Sequence, residues 1–245
     1  SGLLYYHQDR LGKEVQGSLL VTAWGDNEIQ YFPLEKSGSS FRSEAGAFVK
    51  GSRNFYPVGL AMDDRGAVIA TDWADVSYAV HGQGRIWRMS NPQAEEKQKG
   101  LSDSPNKNEL LALLASPDPR LRQEAADYIL KEKADELGSF FSSGISPPAQ
   151  LNLIWAAHNA RNAETKALLE KALKAEDELL RAAAVRMMVD HTYQEDESFF
   201  LGLLKKDASA YVKREAIYGL MSELAFEQVL PFFSEIDPFI HTAII

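Results

Sequence analysis

The sequence predicts an α+β multidomain chain: a partial β-propeller of about two blades over residues 1–91, a linker over 92–108, and an α–α superhelix of short helical-hairpin repeats over 109–245. Three observations carry that reading. Short β-forming runs cut by Gly, Asp and Asn turns fill the first ninety residues. The stretch that follows is polar, with two prolines and a glycine. From Asp118 onward, helix-start signals recur about every thirty residues.

The strands come first. Ser18 to Trp24 reads S-L-L-V-T-A-W, and after Gly25-Asp26-Asn27 the chain resumes as E-I-Q-Y-F-P-L with Ile29 and Tyr31 alternating, which is a hairpin pattern. A second group comprises Phe48-Val49 before Gly51, then P-V-G-L-A-M-D, the turn Asp64-Arg65-Gly66, A-V-I-A-T-D-W, and G-R-I-W-R-M-S ending at Ser90. That group makes about four strands in about forty residues, the size of one propeller blade, and residues 3–47 supply most of another. Two blades cannot close a ring of four to eight, so the open edges need cover from chain before Ser1 or from another molecule. The sequence therefore reads as a C-terminal piece of a longer protein.

Composition narrows the function classes. Up to Ser90 there are nine Lys and Arg against ten Asp and Glu; after it, seventeen against twenty-five, so the net charge of −9 lies almost wholly in the helical part. A surface of that sign repels phosphate backbones and anionic lipid, which excludes nucleic acid as the expected partner. The sequence has no cysteine, so disulfides, Cys-ligated zinc, iron–sulfur clusters and attached c-type haem are excluded within it. No apolar run approaches the eighteen or so residues of a membrane helix, and no membrane insertion is expected of this segment.

The linker, N-P-Q-A-E-E-K-Q-K-G-L-S-D-S-P-N-K-N from Asn91, leads into E-L-L-A-L-L-A-S. Helix starts are then expected at Asp118-Pro119, near Ser146-Pro147, at Asp177, at Asp207 and at Asp237-Pro238. Behind them an apolar residue, a base and a small alanine recur: Leu121-Arg122-Ala125, Leu180-Arg181-Ala184 and Val212-Lys213-Ala216. The apolar and Ala positions share a helical face with the base beside it, and alanine permits close helix approach. Each hairpin has too little core alone, and stacking supplies it. The pattern resembles the short, roughly thirty-residue HEAT form of phycobilin-lyase-type repeats. The Ser146 unit departs from it, lacking the Asp and the base. Arg122, Arg181 and Lys213 have two roles open: a basic ladder that binds an acidic partner, or ties between neighbouring repeats. Trp155, Phe199, Phe200 and Tyr211 are expected in the core.

A second resemblance rests on F-Y-P-V-G-L-A-M-D-D-R-G-A-V-I-A-T-D-W at 55–73, Tyr78, His81-Gly82 and G-R-I-W-R at 84–88. It is similar to the last blade of six-bladed propellers related to quinoprotein glucose and sorbosone dehydrogenases. More narrowly, it resembles the planctomycete and verrucomicrobial membrane-bound dehydrogenase proteins, in which such a propeller precedes HEAT repeats. That resemblance implies a parent protein with pyrroloquinoline quinone (PQQ) and calcium, oxidising a sugar or alcohol and passing electrons to a cytochrome module, in a periplasmic or extracellular location. Asp72, His81 and Arg85 are the cofactor-binding candidates. Their structural alternatives are that Asp72 ties down the turn toward Tyr78, and that Arg85 pairs with Asp72 or Asp75. The strand Pro57–Met62 carries none of the arginines that hold the quinone in that family. His7, His158, His191 and His241 have no partner at metal-ligand spacing, and no nucleophile elbow or phosphate loop occurs. No self-contained active site is expected. The alternatives are a non-catalytic protein- or glycan-binding module and a lactonase-like hydrolytic propeller.

Overall fold

A computed structural model describes residues 2–77, 79–80, 82–93, 100–141, 144–161, 163–189, 196–220 and 227–231. The chain forms two compact units, one of Ser1–Lys36 with Phe41–Lys99, the other of Gly100–Ile245 with Ser37–Ser40.

In the first unit, β1 (Leu3–Tyr6), β2 (Ser18–Ala23), β3 (Glu28–Pro33) and β6 (Gly46–Lys50) make an antiparallel sheet in the order β1-β2-β3-β6. The short hairpin β4 (Glu35–Ser37) and β5 (Ser40–Arg42) lies between β3 and β6 in sequence. The hairpin expected around Gly25-Asp26-Asn27 forms, with Ser18 opposite Pro33 and Ala23 opposite Glu28. Asn27 takes the left-handed conformation that closes it (φ 58°), which Asn tolerates better than most residues, and its Nδ2 donates to the distant Phe55 carbonyl at 2.8 Å. A second antiparallel sheet runs β7 (Pro57–Met62), β8 (Val68–Asp72), β9 (Arg85–Met89).

The grouping of strands differs from the sequence reading. Phe48 and Val49 belong to β6, where Val49 pairs with Ile29, so the first sheet has four strands and the second three. Gly51 marks the exit from one sheet to the next, and the pairing of β6 with β3 spans a hairpin that local pattern does not reveal. Among the described residues neither sheet closes on itself.

The core of this unit is Tyr6, Val15, Leu20, Ile29, Phe55, Val68 and Ala70. Along β2 the alternation is clean, Ser18, Leu20 and Thr22 facing inward. Thr22 Oγ1 donates to the Val58 carbonyl at 3.1 Å, joining β2 to β7. Tyr6 Oη donates to Gly66 O at 2.8 Å, and burial pushes its pKa up to about 12.

The second unit consists of helices α1 (Lys107–Leu114), α2 (Pro119–Glu132), α3 (Leu137–Phe140), α4 (Pro147–Ala160), α5 (Thr165–Ala172), α6 (Glu178–Met188), α7 (Glu197–Lys206) and α8 (Ala210–Tyr218). Hairpin partners pack together in α1–α2, α5–α6 and α7–α8, with the short α3 ahead of α4. The second helices form a continuous layer: α2 against α4, α4 against α6, α6 against α8. Asp118 and Asp177 cap α2 and α6 as expected, accepting from Arg120 N and Leu180 N, both at 2.9 Å. Ser146 occupies the cap position of α4, followed by Pro147. For α8 the cap is Ser209 and not Asp207, because the Asp207 carboxylate is held by Ser209 N at 2.8 Å and by a guanidinium of the preceding repeat. Asp237-Pro238 lies outside the described residues.

Two apolar clusters fill the stack. One runs from Leu110 through Ile129, Phe140, Leu153 and Leu169 to Met188. The other joins Ala182 and Val185 of α6 to Phe200, Leu204, Tyr211 and Val212. Phe200 and Tyr211 are buried and Phe199 is partly so, but Trp155 is 36% exposed and is not a core residue. Helix α4 is apolar on several sides, so periodicity alone does not tell which side faces in. Ala125, Ala184 and Ala216, the small positions of the repeat, are fully buried. Replacing Ala184 with Leu is expected to destabilise the helical unit by about 1–3 kcal/mol through overpacking, measured by urea unfolding.

Candidate functional sites

Asp72 ends β8, directly opposite Arg85 on β9. Its buried carboxylate accepts from four donors: Tyr56 N at 2.8 Å, Ala74 N at 2.9 Å, Trp87 Nε1 at 2.8 Å and Arg85 Nη2 at 2.7 Å. Burial alone raises its pKa, but the Trp87, Tyr56 and Ala74 hydrogen bonds and the Arg85 charge outweigh it and hold the group below the ordinary carboxylate range. Ala74 sits at φ 67°, a left-handed conformation costly for alanine, and its N–H is fixed by Asp72. The guanidinium of Arg85 also donates to the Asn54 carbonyl and lies over the Trp87 ring, 5.2 Å from its centroid. The structure thus brings two of the candidates, Asp72 and Arg85, into one ion pair; His81 lies outside the described residues. Beside them, Phe55, Arg85, Trp87 and Arg88 line a groove of about 290 Å³. Arg88 is itself paired with Asp63 at 2.9 Å. Of the other histidines, His7 lies 3.2 Å from Gln8 Nε2, His158 is edge-on to Trp155, and His191 and His241 are outside the described residues. Among the described residues no three His, Cys, Asp or Glu come together as a metal site.

In the helical unit, Arg122, Arg181 and Lys213 occupy the same place, the fourth residue after each cap. Arg122 Nη1 donates to the carbonyls of Ser116 and Pro117, both at 2.8 Å. Arg181 Nη1 does the same to Ala175 and Glu176, both at 2.9 Å. The rest of the Arg181 guanidinium grips Asp207 of the next repeat side-on, Nε to Oδ2 at 2.9 Å and Nη2 to Oδ1 at 3.1 Å. Asp207 is held below its ordinary range: burial opposes ionisation, but Arg181, Ser209 N and the Lys213 charge prevail. Arg122 thus serves its own interhelical turn, and Arg181 both its own turn and Asp207 of the adjoining repeat. A second interlayer tie runs from Ser209 Oγ to Glu178 Oε2 at 2.7 Å. A third centres on Glu215, buried and held by Arg214 at 2.6 Å and by Arg186 at 3.3 Å. Sequence reasoning missed Glu215, since a buried glutamate on α8 carries no local mark.

Residues 134–221 match the family model for HEAT repeats. The match covers α3 to α8, the part in which the interlayer ties recur. No curated protein and no solved structure matches the chain. Among the described residues no helix is long and apolar enough to cross a membrane.

Asp72→Asn is expected to cost the sheet unit about 1.5–3 kcal/mol, the range for hydrogen bonds to a charged group. Because the folded pKa of Asp72 is depressed, its contribution is in place above the unfolded value of about 3.9 and is lost as pH falls through the lower folded one. Urea titrations at pH 7 and pH 3 therefore separate wild type from Asp72→Asn more widely at pH 7.

Proposed function

We propose that the HEAT segment is a protein-docking scaffold and that this chain is a support and recognition piece with no active site of its own. The observation that carries the reading is the use made of charge: Arg122 and Arg181 bind turn carbonyls, Arg181 clamps Asp207, and Glu215 is enclosed by two arginines. The conspicuous ionic side chains are spent on joining layers, and the outer surfaces of the helices remain for contact. HEAT repeats commonly mediate protein interactions, and solenoids present the extended surfaces such contacts need.

The finer reading is that the sheet unit is the end of a quinoprotein-dehydrogenase-like propeller in a periplasmic or extracellular parent. Support comes from the resemblance of residues 55–73 and 84–88 and from two successive antiparallel meanders. Within this chain Asp72 does not fit calcium, since its carboxylate already accepts from four donors, Arg85 among them. A cytochrome partner belongs to this finer proposal, and its alternative is a non-catalytic protein- or glycan-binding module.

The docking reading is tested by hydrogen–deuterium exchange on the full chain, alone and with proteins captured by it from cells that express it. Protection is expected over α2, α4, α6 and α8 or over the first helices. Protection confined to the sheet unit contradicts a docking role for the HEAT segment.

A further inference from the structure

The sheet edges of the first unit are not alike. β7 carries Pro57 and a bulge in its pairing with β8, β6 is bulged against β3 and ends in Lys50, and β1 lies against β7. Proline, bulges and lysine are the usual guards of an exposed edge. β9 has none of them: its register with β8 is unbroken, and its two arginines are engaged by Asp72 and Asp63. Ile86 of this strand is nevertheless 74% exposed and Trp87 43%.

The hydrogen bonds along β8 fix which way the backbone of β9 points. Trp73 N donates to Tyr56 O at 2.9 Å, and Ala67 O accepts from Asp63 N at 3.0 Å, so the odd-numbered residues here bond toward β7. The even-numbered ones, Val68, Ala70 and Asp72, therefore bond toward β9, opposite Met89, Trp87 and Arg85. Ile86 and Arg88 turn their backbone groups the other way, to the outside. The N–H and C=O of Ile86 have no partner among the described residues.

The groove of about 290 Å³ runs beside the same strand. It brings Val49 of β6 and Phe55 opposite Trp87 and Met89, inward residues of β9. β7 packs against β1 and β2, which leaves β9 on the side of β6. The first sheet has four strands and the second three, so the two-layer core is one strand short on this side. The groove lies where the inward side chains of a fourth strand beside β9 would point.

We propose that the edge of β9 binds an extended segment of a partner protein as a fourth, antiparallel strand. A residue of that segment opposite Ile86 exchanges hydrogen bonds with it, and the neighbour opposite Trp87 places an apolar side chain in the groove. A small molecule in the groove leaves the backbone of Ile86 uncovered. A second copy paired through β9 sets Arg85 and Arg88 of both chains along one ladder with no further acid between them, which disfavours it. The site lies wholly in the sheet unit and is independent of the docking reading of the HEAT segment.

The probe is a fluorescein-labelled peptide, Glu-Thr-Val-Thr-Val-Thr-Val-Thr-Glu, titrated against the whole 245-residue chain by anisotropy. In the proposed register its valines face the groove and its threonine N–H groups face β9. Methylating the threonine nitrogens is expected to abolish binding, and methylating the valine nitrogens to leave it. Replacing the valines with serines is expected to weaken it by about tenfold. In the protein, Ile86→Pro removes the outward N–H and is expected to weaken binding by at least about tenfold, whereas Ile86→Thr keeps it within about threefold. Circular dichroism checks that both variants fold. Equal binding of the threonine-methylated and unmodified peptides overturns the proposal, whatever Ile86→Pro does to the fold. Absence of binding by the unmodified peptide overturns it as well, and dimerisation that Ile86→Pro abolishes would then assign the edge to a second copy.

Discussion

The helical unit depends on a constraint that no single hairpin can meet. Helices of eight to fourteen residues, such as α1 and α2, carry an apolar stripe far larger than one partner can cover, so each pair is stable only against the next. The fully buried alanines at 125, 184 and 216 let second helices approach closely enough for that cover to be complete. Arg181 shows how the layers are then held in register. One guanidinium reaches back to the carbonyls that end its own turn and forward to Asp207 of the following repeat. Because both partners are largely withdrawn from water and the contact is bidentate, it fixes orientation as well as adding energy.

The sheet unit solves a related problem with a carboxylate. Asp72 sits where β8 leaves the sheet and where Ala74 must adopt a left-handed backbone. Four donors converge on it from the loop before β7, the loop after β8 and from β9, so one residue pins three pieces of chain. The cost of burying the charge is offset by that convergence.

How much of this was legible in the sequence follows from how local each feature is. The caps at Asp118 and Asp177 were readable because N-cap chemistry involves only the next two or three residues. Asp207 misled because Asp and Ser two residues apart both suit a cap, and a distant arginine decides between them. The pairing of Arg85 with Asp72 was one of two options in the pattern, and the antiparallel register of β8 with β9 selects it over Asp75. Strand grouping around Phe48 and Val49 was not legible, since sheet partners are set by contacts across many residues. Nor was the exposure of Trp155, because the alternation that would reveal it is blurred on a helix apolar on several sides. Glu215 escaped for a similar reason: its burial depends on two arginines brought beside it by folding.

The two apolar clusters meet at α6, and Leu173 and Phe199 pack against both. The first closes with Leu180, Ala184, Met187 and Met188, and the second begins with Ala182 and Val185 on another side of the same helix. A chain ending at Val189 keeps every residue of the first cluster and loses the second except for its α6 members. Circular dichroism with urea unfolding of residues 100–189 is therefore the most direct test of layered stability. A cooperative transition with helical signal in proportion to α1–α6, at a lower midpoint than the full helical unit, is the result a stack of neighbours requires. A fragment without helical signal or a cooperative transition would mean that the helices share one indivisible core, and would contradict the account.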